Sequence, residues 1–376
     1  MKCPEGSLQV VRKHGKERQK KSAKRSAPPG GWNADAQSMR TIAQLAGVSS
    51  ATVSRVINGS TAVREETAER VRQVIREQRY FPNTSAITMK YGRSGTYGVI
   101  LPDITNPFYP DFVRNFEAIL LERNLELLLA TTDFHTARIQ QSIRRMLVRR
   151  VDGVAFLSSE EERDSLAALV HNRVPVVTAD LQKTAVGVSD VAIGFAQGMA
   201  EAVRYLHGLG HREIGFVGGN EGITTSNVRR DSFVAAMQGA GLAVHEELLL
   251  TGDYRISGGV AAAESLLQIK RRPTAILTAN DLTAIGVLRE LHRRGVRVPE
   301  EISLVGCDDI EYCDIVSPPL TTLRISRLEL AQRYMTALEA GRDVTQKGKQ
   351  YWVVPTLVIR SSTGPAPKAV RKKRQK

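Results

Sequence analysis

Apolar residues recur every third or fourth position in short bursts between Met39 and Tyr80. From about residue 97 to 360 the rhythm changes, and compact apolar runs alternate with longer periodic stretches. In the first region Met39, Ile42, Ala43 and Ala46 share one helical face, as do Val53, Val56 and Ile57. Ser38 is placed to cap the first helix, and Gly47 to end it in the left-handed turn that glycine enters without penalty. Ser49 is placed to cap the second. A third helix is predicted from about Glu65 to Tyr80, buried through Val71, Val74 and Ile75. Its first turns carry Glu65, Glu66 and Glu69, where the helix dipole favours acids.

In the second region strands are predicted at 97–101, 125–131, 153–157, 175–179, 213–218, 248–252, 274–278 and 302–306. Helices at 112–124, 137–150 and 282–295 stand among the segments between them. Alternation of this kind predicts an α/β class with parallel sheets built from right-handed βαβ units. The pattern leaves open whether there is one large sheet or two smaller ones.

The second short helix is unusual on its outward side. Ser50, Ala51, Thr52, Ser54, Arg55 and Asn58 face away from the core, and no acid occurs between Met39 and Ser60. A solvated helix would more often carry Glu and Lys there. Hydroxyls, an amide and one guanidinium suit phosphates and base edges. Two short helices joined by a glycine turn are then a helix-turn-helix, whose second helix enters the major groove; the plainer alternative is an ordinary helical hairpin.

Charge sharpens the picture. The formal net charge is +14, but it sits at the ends. Residues 1–37 carry nine basic residues against three acids, and residues 38–93 nine against four. Residues 94–364 carry a net −3, and 365–376 add six basic residues and no acid. Basic ends on a mildly acidic body fit a polyanion partner. The unpatterned segment 1–37 is expected to be a disordered arm, and 364–376 a disordered tail, both adding sequence-independent DNA affinity.

Other classes fit poorly. GGNEG lacks the glycine spacing of a dinucleotide site, and GRSGTYG precedes a strand instead of following one. His207 and His211 are four apart but flanked by Gly208 and Gly210, a poor helix for presenting a metal. No nucleophile–base set stands out, so no catalytic residue, metal or cofactor is expected. Cys3, Cys307 and Cys313 make no disulfide framework, and no run reaches the length of a membrane span. A cytoplasmic, nucleoid-associated protein is expected.

Several segments together resemble the LacI/GalR family of bacterial transcription regulators. TIAQLAGVSSATVSRVIN, VREETAERVRQVI and YFPN are similar to the family's DNA-binding headpiece. GVILPDITNPFY, RVDGVAFL, GHREIGFVGG, RPTAILTANDLTAIGVLRELHRRGVRVPEEISLVGCDD and SPPLTTLR are similar to its effector domain. The likeness runs over about 38–363. It implies a headpiece at 38–81, a hinge helix and linker at 82–93, and a periplasmic-binding-protein-like effector domain at 94–363. That domain would have two parallel-sheet subdomains, about 94–193 plus 326–350 and 195–322 plus 354–363. The resemblance also implies a homodimer on a near-palindromic double-stranded operator, and a small-molecule effector that sets operator affinity. A solute-binding protein of a transport system is the alternative, disfavoured by the attached helix-turn-helix.

By position, the resemblance implies DNA contacts from Ser49, Ser50, Ala51, Thr52, Ser54, Arg55, Asn58, Asn83, Ala86 and Met89, the last as a minor-groove wedge. It implies effector contacts from Phe108, Asp180, Arg229, Tyr254, Asn280 and Asp308. Ile193-Gly194 stands where many relatives have an acid–amide pair. The effector therefore stays open among a sugar, a phosphorylated sugar, a nucleoside, another metabolite or a protein partner.

Overall fold

The computed structural model describes residues 38–57, 59–80, 93–133, 135–157, 163–181 and 183–368. The chain divides into two units, residues 1–83 and 84–376.

In the first unit, α1 (Met39–Ala46), α2 (Ser50–Ile57) and α3 (Glu65–Glu77) surround a small core of Ile42, Ala43, Ala46, Val53, Val56, Ala68, Val71 and Tyr80. The predicted punctuation is present. The Ser38 side chain accepts the Thr41 N–H, and Gly47 takes a left-handed φ of 63° while its N–H closes the helix. Ser49 Oγ accepts the Thr52 N–H at 3.2 Å. Arg70 donates to the Ala46 carbonyl, fastening α3 to the end of α1. The third helix stops at Glu77, three residues short of the predicted Tyr80.

The second unit contains two six-stranded sheets among the described residues. The first is ordered β11-β5-β4-β3-β1-β2, from β1 (Thr96–Leu101), β2 (Glu126–Thr131), β3 (Val154–Phe156), β4 (Val176–Ala179), β5 (Val188–Ile193) and β11 (Gln350–Val353). The second is ordered β12-β10-β9-β8-β6-β7, from β6 (Ile214–Val217), β7 (Leu249–Leu250), β8 (Ala275–Thr278), β9 (Ser303–Asp308), β10 (Thr321–Arg324) and β12 (Thr356–Val358). All pairs are parallel except β10 with β12. Two sheets therefore replace the single-or-double ambiguity of the pattern.

The chain passes between the sheets three times: from β5 into α7 (Phe195–Gly208), from β10 into α12 (Arg327–Ala340), and from β11 to β12. Each sheet is covered on both faces, as parallel sheets require. Helix α4 (Phe108–Leu121) packs against α12, with the Phe112 ring 5.3 Å from Tyr334. Helix α4 starts four residues earlier than predicted. Pro107 and Pro110 look like helix breakers, yet a first turn has no intrahelical use for their missing N–H groups.

Helices α9 (Ile256–Gln268) and α10 (Asp281–Arg293) cross in near backbone contact. A Cβ on Gly259 would lie 2.1 Å from the Thr283 carbonyl oxygen, and one on Gly286 2.1 Å from that of Ile256.

Candidate functional site

On α2, Ser50, Ala51 and Arg55 are exposed, and Thr52 and Ser54 are half-buried beside the inward Val53 and Val56. Ser49 Oγ also lies 3.0 Å from Thr52 Oγ1, so two of the candidate DNA residues are partly spent on each other at the start of α2. Asn58, Asn83, Ala86 and Met89 lie outside the described residues, as do 1–37 and 369–376. The free face of α2 is polar, cationic and without acids. That chemistry complements a polyanion.

In the second unit the six candidate effector residues come together. Phe108, Asp180, Arg229, Tyr254, Asn280 and Asp308 all line one pocket of about 910 Å³, counting its open mouth. It lies at the carboxyl ends of β1, β4, β7, β8 and β9, where open α/β sheets bind ligands. The first sheet's side supplies Phe108, Tyr109, Asp180 and Tyr334; the second supplies Arg229, Tyr254, Asn280 and Asp308.

Arg229, on α8 (Thr224–Gly239), is the electrostatic centre. Its guanidinium carbon lies 4.5 Å from the Phe195 ring centroid and 5.2 Å from that of Tyr254. Cations over aromatic faces are favoured when water is excluded. Burial works against the charge, and Tyr254, Cys307, Asp308 and Asp180 outweigh it, so the guanidinium stays protonated. Its Nε has no hydrogen-bond partner among the described residues.

The two acids face the opposite pressure. Burial pushes Asp180 up to about 7, against the Ile193 N–H that its carboxylate accepts and the Arg229 charge. Burial likewise raises Asp308 well above the usual carboxylate range, with Arg229 opposing and buried Asp281 adding to the rise. Near neutral pH each is able to accept or, when protonated, to donate a hydrogen bond. Asp180, Tyr254 and Asp308 adopt positive φ values of 53°, 61° and 117°. Such conformations are costly for residues other than glycine and gather at functional sites.

Asn280 differs from the other five. Its amide oxygen accepts the Thr283 N–H and hydroxyl at 3.0 and 2.6 Å, capping α10, and its amide nitrogen donates to the Tyr254 carbonyl at 2.9 Å. It lines the pocket but acts chiefly through Tyr254, whose hydroxyl is in turn 2.8 Å from Ser226 Oγ.

Several pocket residues were missed from the sequence, Tyr109, Arg255 and Tyr334 among them, as was Phe195 behind Arg229. Tyr109 belongs to the NPFY segment and was legible as an aromatic neighbour of Phe108. Tyr334 lies mid-helix, 154 positions after Asp180, and only the tertiary fold brings them together. Across the mouth, Arg255 of the second sheet's side reaches Asp103 and Asp133 of the first at 3.5 and 3.6 Å. Deeper, Arg327 at the start of α12 donates to the carbonyls of Asp308 and Asp309.

Cys307 and Cys313 are free and buried, and His211 is enclosed between Thr274 and the Gly364 carbonyl. Among the described residues no cluster of three or more His, Cys, Asp or Glu is arranged to hold a metal, and no helix is long and apolar enough to cross a membrane.

Comparison with known proteins agrees with both units. The family described as bacterial regulatory proteins, lacI family, matches residues 38–83, and the periplasmic binding protein-like domain matches 203–363. The ribose operon repressor of Escherichia coli (strain K12) is 34% identical over 86% of this chain and 99% of its own. The HTH-type transcriptional regulator DegA of Bacillus subtilis (strain 168) is 30% identical over 86% and 97%. Among solved structures, the lac repressor dimer bound to operator and the anti-inducer ONPF aligns with a TM-score of 0.76 at 25% identity, covering 87% of this chain and 99% of that one. A LacI family regulator from Enterococcus faecium with bound ribose aligns at 0.64 and 27% identity, over 72% and 99%.

Proposed function

The chain belongs to the lacI family of bacterial regulatory proteins, and from that premise we propose a cytoplasmic homodimeric repressor whose operator affinity is set by a small neutral ligand, a sugar in the first instance. Each protomer would place α2 in the major groove of one half-site of a near-palindromic operator. Ser50, Ala51 and Arg55 would read bases and phosphates, with Ser49, Thr52 and Ser54 on the backbone. Asn58 would join them on the backbone, and Asn83, Ala86 and Met89 would extend the contact toward the operator centre.

The observation that carries it is the pocket's charge pattern. Arg229 is enclosed between two rings with Asp180 and Asp308 beside it, so donors and acceptors converge without a surplus of positive charge. In the lining Asp103 and Asp253 already balance Arg229 and Arg255, while burial holds Asp180 and Asp308 toward their neutral, hydrogen-bonding form. A phosphorylated ligand would find no surplus of positive charge there, whereas a hydroxylated ring would stack on Phe108 or Tyr254 and bond to Asp and Arg. The ribose operon repressors among the relatives and the ribose-bound neighbour point to the same class. A ligand spanning both sheets shifts the equilibrium between subdomain angles only by its differential affinity for them.

The test is selection from random double-stranded DNA with the full-length protein at fixed salt, followed by operator binding with and without D-ribose and other neutral sugars. A palindrome whose binding responds to one of them is expected. Enrichment of no motif would overturn the sequence-reading role, and an unresponsive operator complex would overturn the sugar.

A further inference from the structure

Tyr334 is the least explained residue of the pocket. It sits in the middle of α12, fully buried, with its ring edge-on to Phe112 and Leu330 one turn before it. A phenylalanine would fill the same space. The hydroxyl is therefore the feature that needs a reason, because it has no hydrogen-bond partner among the described residues. Buried polar groups are normally satisfied, and one left over is a cost the free protein carries. Burial raises its pKa far above the ordinary value, and Asp190, Asp180 and Tyr109 add to the rise. The phenol is thus protonated and able to donate, and Tyr334 lines the pocket together with Asp180.

A second orphan belongs to a lining residue on the other sheet's side. Arg229 Nε, on α8, is also buried without a partner. The pocket consequently keeps one unused donor on each side of the cleft. Asn280, by contrast, has every side-chain hydrogen-bonding role but one donor hydrogen committed.

We propose that Tyr334 is a specificity-determining residue, whose hydroxyl donates to an oxygen on one edge of the bound ligand while Arg229 Nε donates to an oxygen on the opposite edge. The inference rests on the effector-pocket reading above. It selects ligands compact enough to reach α12 and α8 at once, with acceptor oxygens on two edges. It also gives the ligand its grip on the subdomain angle, since neither donor is satisfied within its own half.

The experiment compares full-length wild type with Tyr334→Phe, reading melting temperature without ligand, and affinity for D-ribose and its monodeoxy analogues by calorimetry. Three results are expected together. The ligand-free variant melts at the same temperature or higher, since an unsatisfied hydroxyl has been removed. Its affinity for D-ribose falls about tenfold, the upper range for one neutral hydrogen bond. One deoxy analogue, lacking the oxygen that Tyr334 meets, binds both proteins equally. Unchanged D-ribose affinity in the variant overturns the role of Tyr334 and leaves the sugar reading intact. A drop in ligand-free melting temperature that tracks the affinity loss shows a structural hydroxyl and also overturns it. Failure of the wild type to bind D-ribose or any analogue overturns ribose as the ligand and this inference with it.

Discussion

The Asn280 amide nitrogen donates to the Tyr254 carbonyl while the amide oxygen caps α10, so one side chain fixes both a helix start and an aromatic wall of the pocket. Tyr254 is held at a φ of 61° that its side chain disfavours, and this bond together with the Ser226 contact keeps it there.

Removing that amide should separate two effects. Asn280→Ala loses the cap and the Tyr254 anchor, with an expected cost of about 1–2 kcal/mol in stability and a weakened ligand response. Asn280→Asp keeps the capping oxygen but sets a buried carboxylate oxygen against the Tyr254 carbonyl, so it should be destabilised near neutral pH with a weakened ligand response, and should recover at low pH, where the protonated carboxyl can donate. Denaturant melts and operator titrations with ligand check both. Equal ligand responses in wild type and Asn280→Asp would sink the positioning role.

Asp180 predicts a pH dependence of unusual sign. Its folded pKa is about 7, above the ordinary carboxylate value, because burial disfavours the anion. The folded state then binds the proton more tightly than the unfolded chain. The associated stability is complete below about pH 4 and is lost as pH rises through about 7. The ceiling is about 4 kcal/mol, three pH units at about 1.4 each. Wild type should therefore lose stability relative to Asp180→Asn between pH 4 and 7.5. Parallel stability profiles for the two proteins would refute it.

The α9–α10 crossing predicts a backbone constraint. Gly286→Ala or Gly259→Ala drives a methyl onto a carbonyl oxygen that cannot swing away, with an expected cost of about 1–3 kcal/mol or more. Gly239→Ala, at the end of α8 with nothing within 4 Å, should be neutral or slightly stabilising. Urea midpoints of the three variants decide it; equal midpoints would contradict the close approach.

What was legible in the sequence follows from how local each signal is. The headpiece helices were readable because Ser38, Gly47 and Ser49 act within four residues of themselves. The strands β5 and β10 escaped the pattern because buried polar residues interrupt them. Asp190 accepts from Thr178 and the Leu181 N–H, and Thr322 donates to Asp281, so these groups are satisfied by partners far along the chain. The same holds for the pocket. Family likeness brought out Arg229 and Asp308, but nothing within a few residues of Tyr334 marks it as part of a site. The close approach of Gly259 to Gly286 was hidden likewise, since a glycine in a helical pattern looks the same whether it faces solvent or another backbone.

The outward face of α2 yields the last prediction. Arg55 is exposed in the final turn of α2, on a helix whose first turn carries no acid. If its guanidinium meets a guanine edge, Arg55→Ala should cost about 1–3 kcal/mol on the selected operator, with little change on random DNA. If it meets a phosphate instead, the loss should be uniform across sequences. The log K against log salt slope would then become shallower by about 0.9. Because the neighbours Ser50 and Ala51 are too short to supply a bidentate contact, the base-edge outcome is the one expected. Competition titrations at three salt concentrations distinguish the two. An Arg55→Ala protein that binds the operator as wild type does, at every salt, would remove α2 from the reading of DNA.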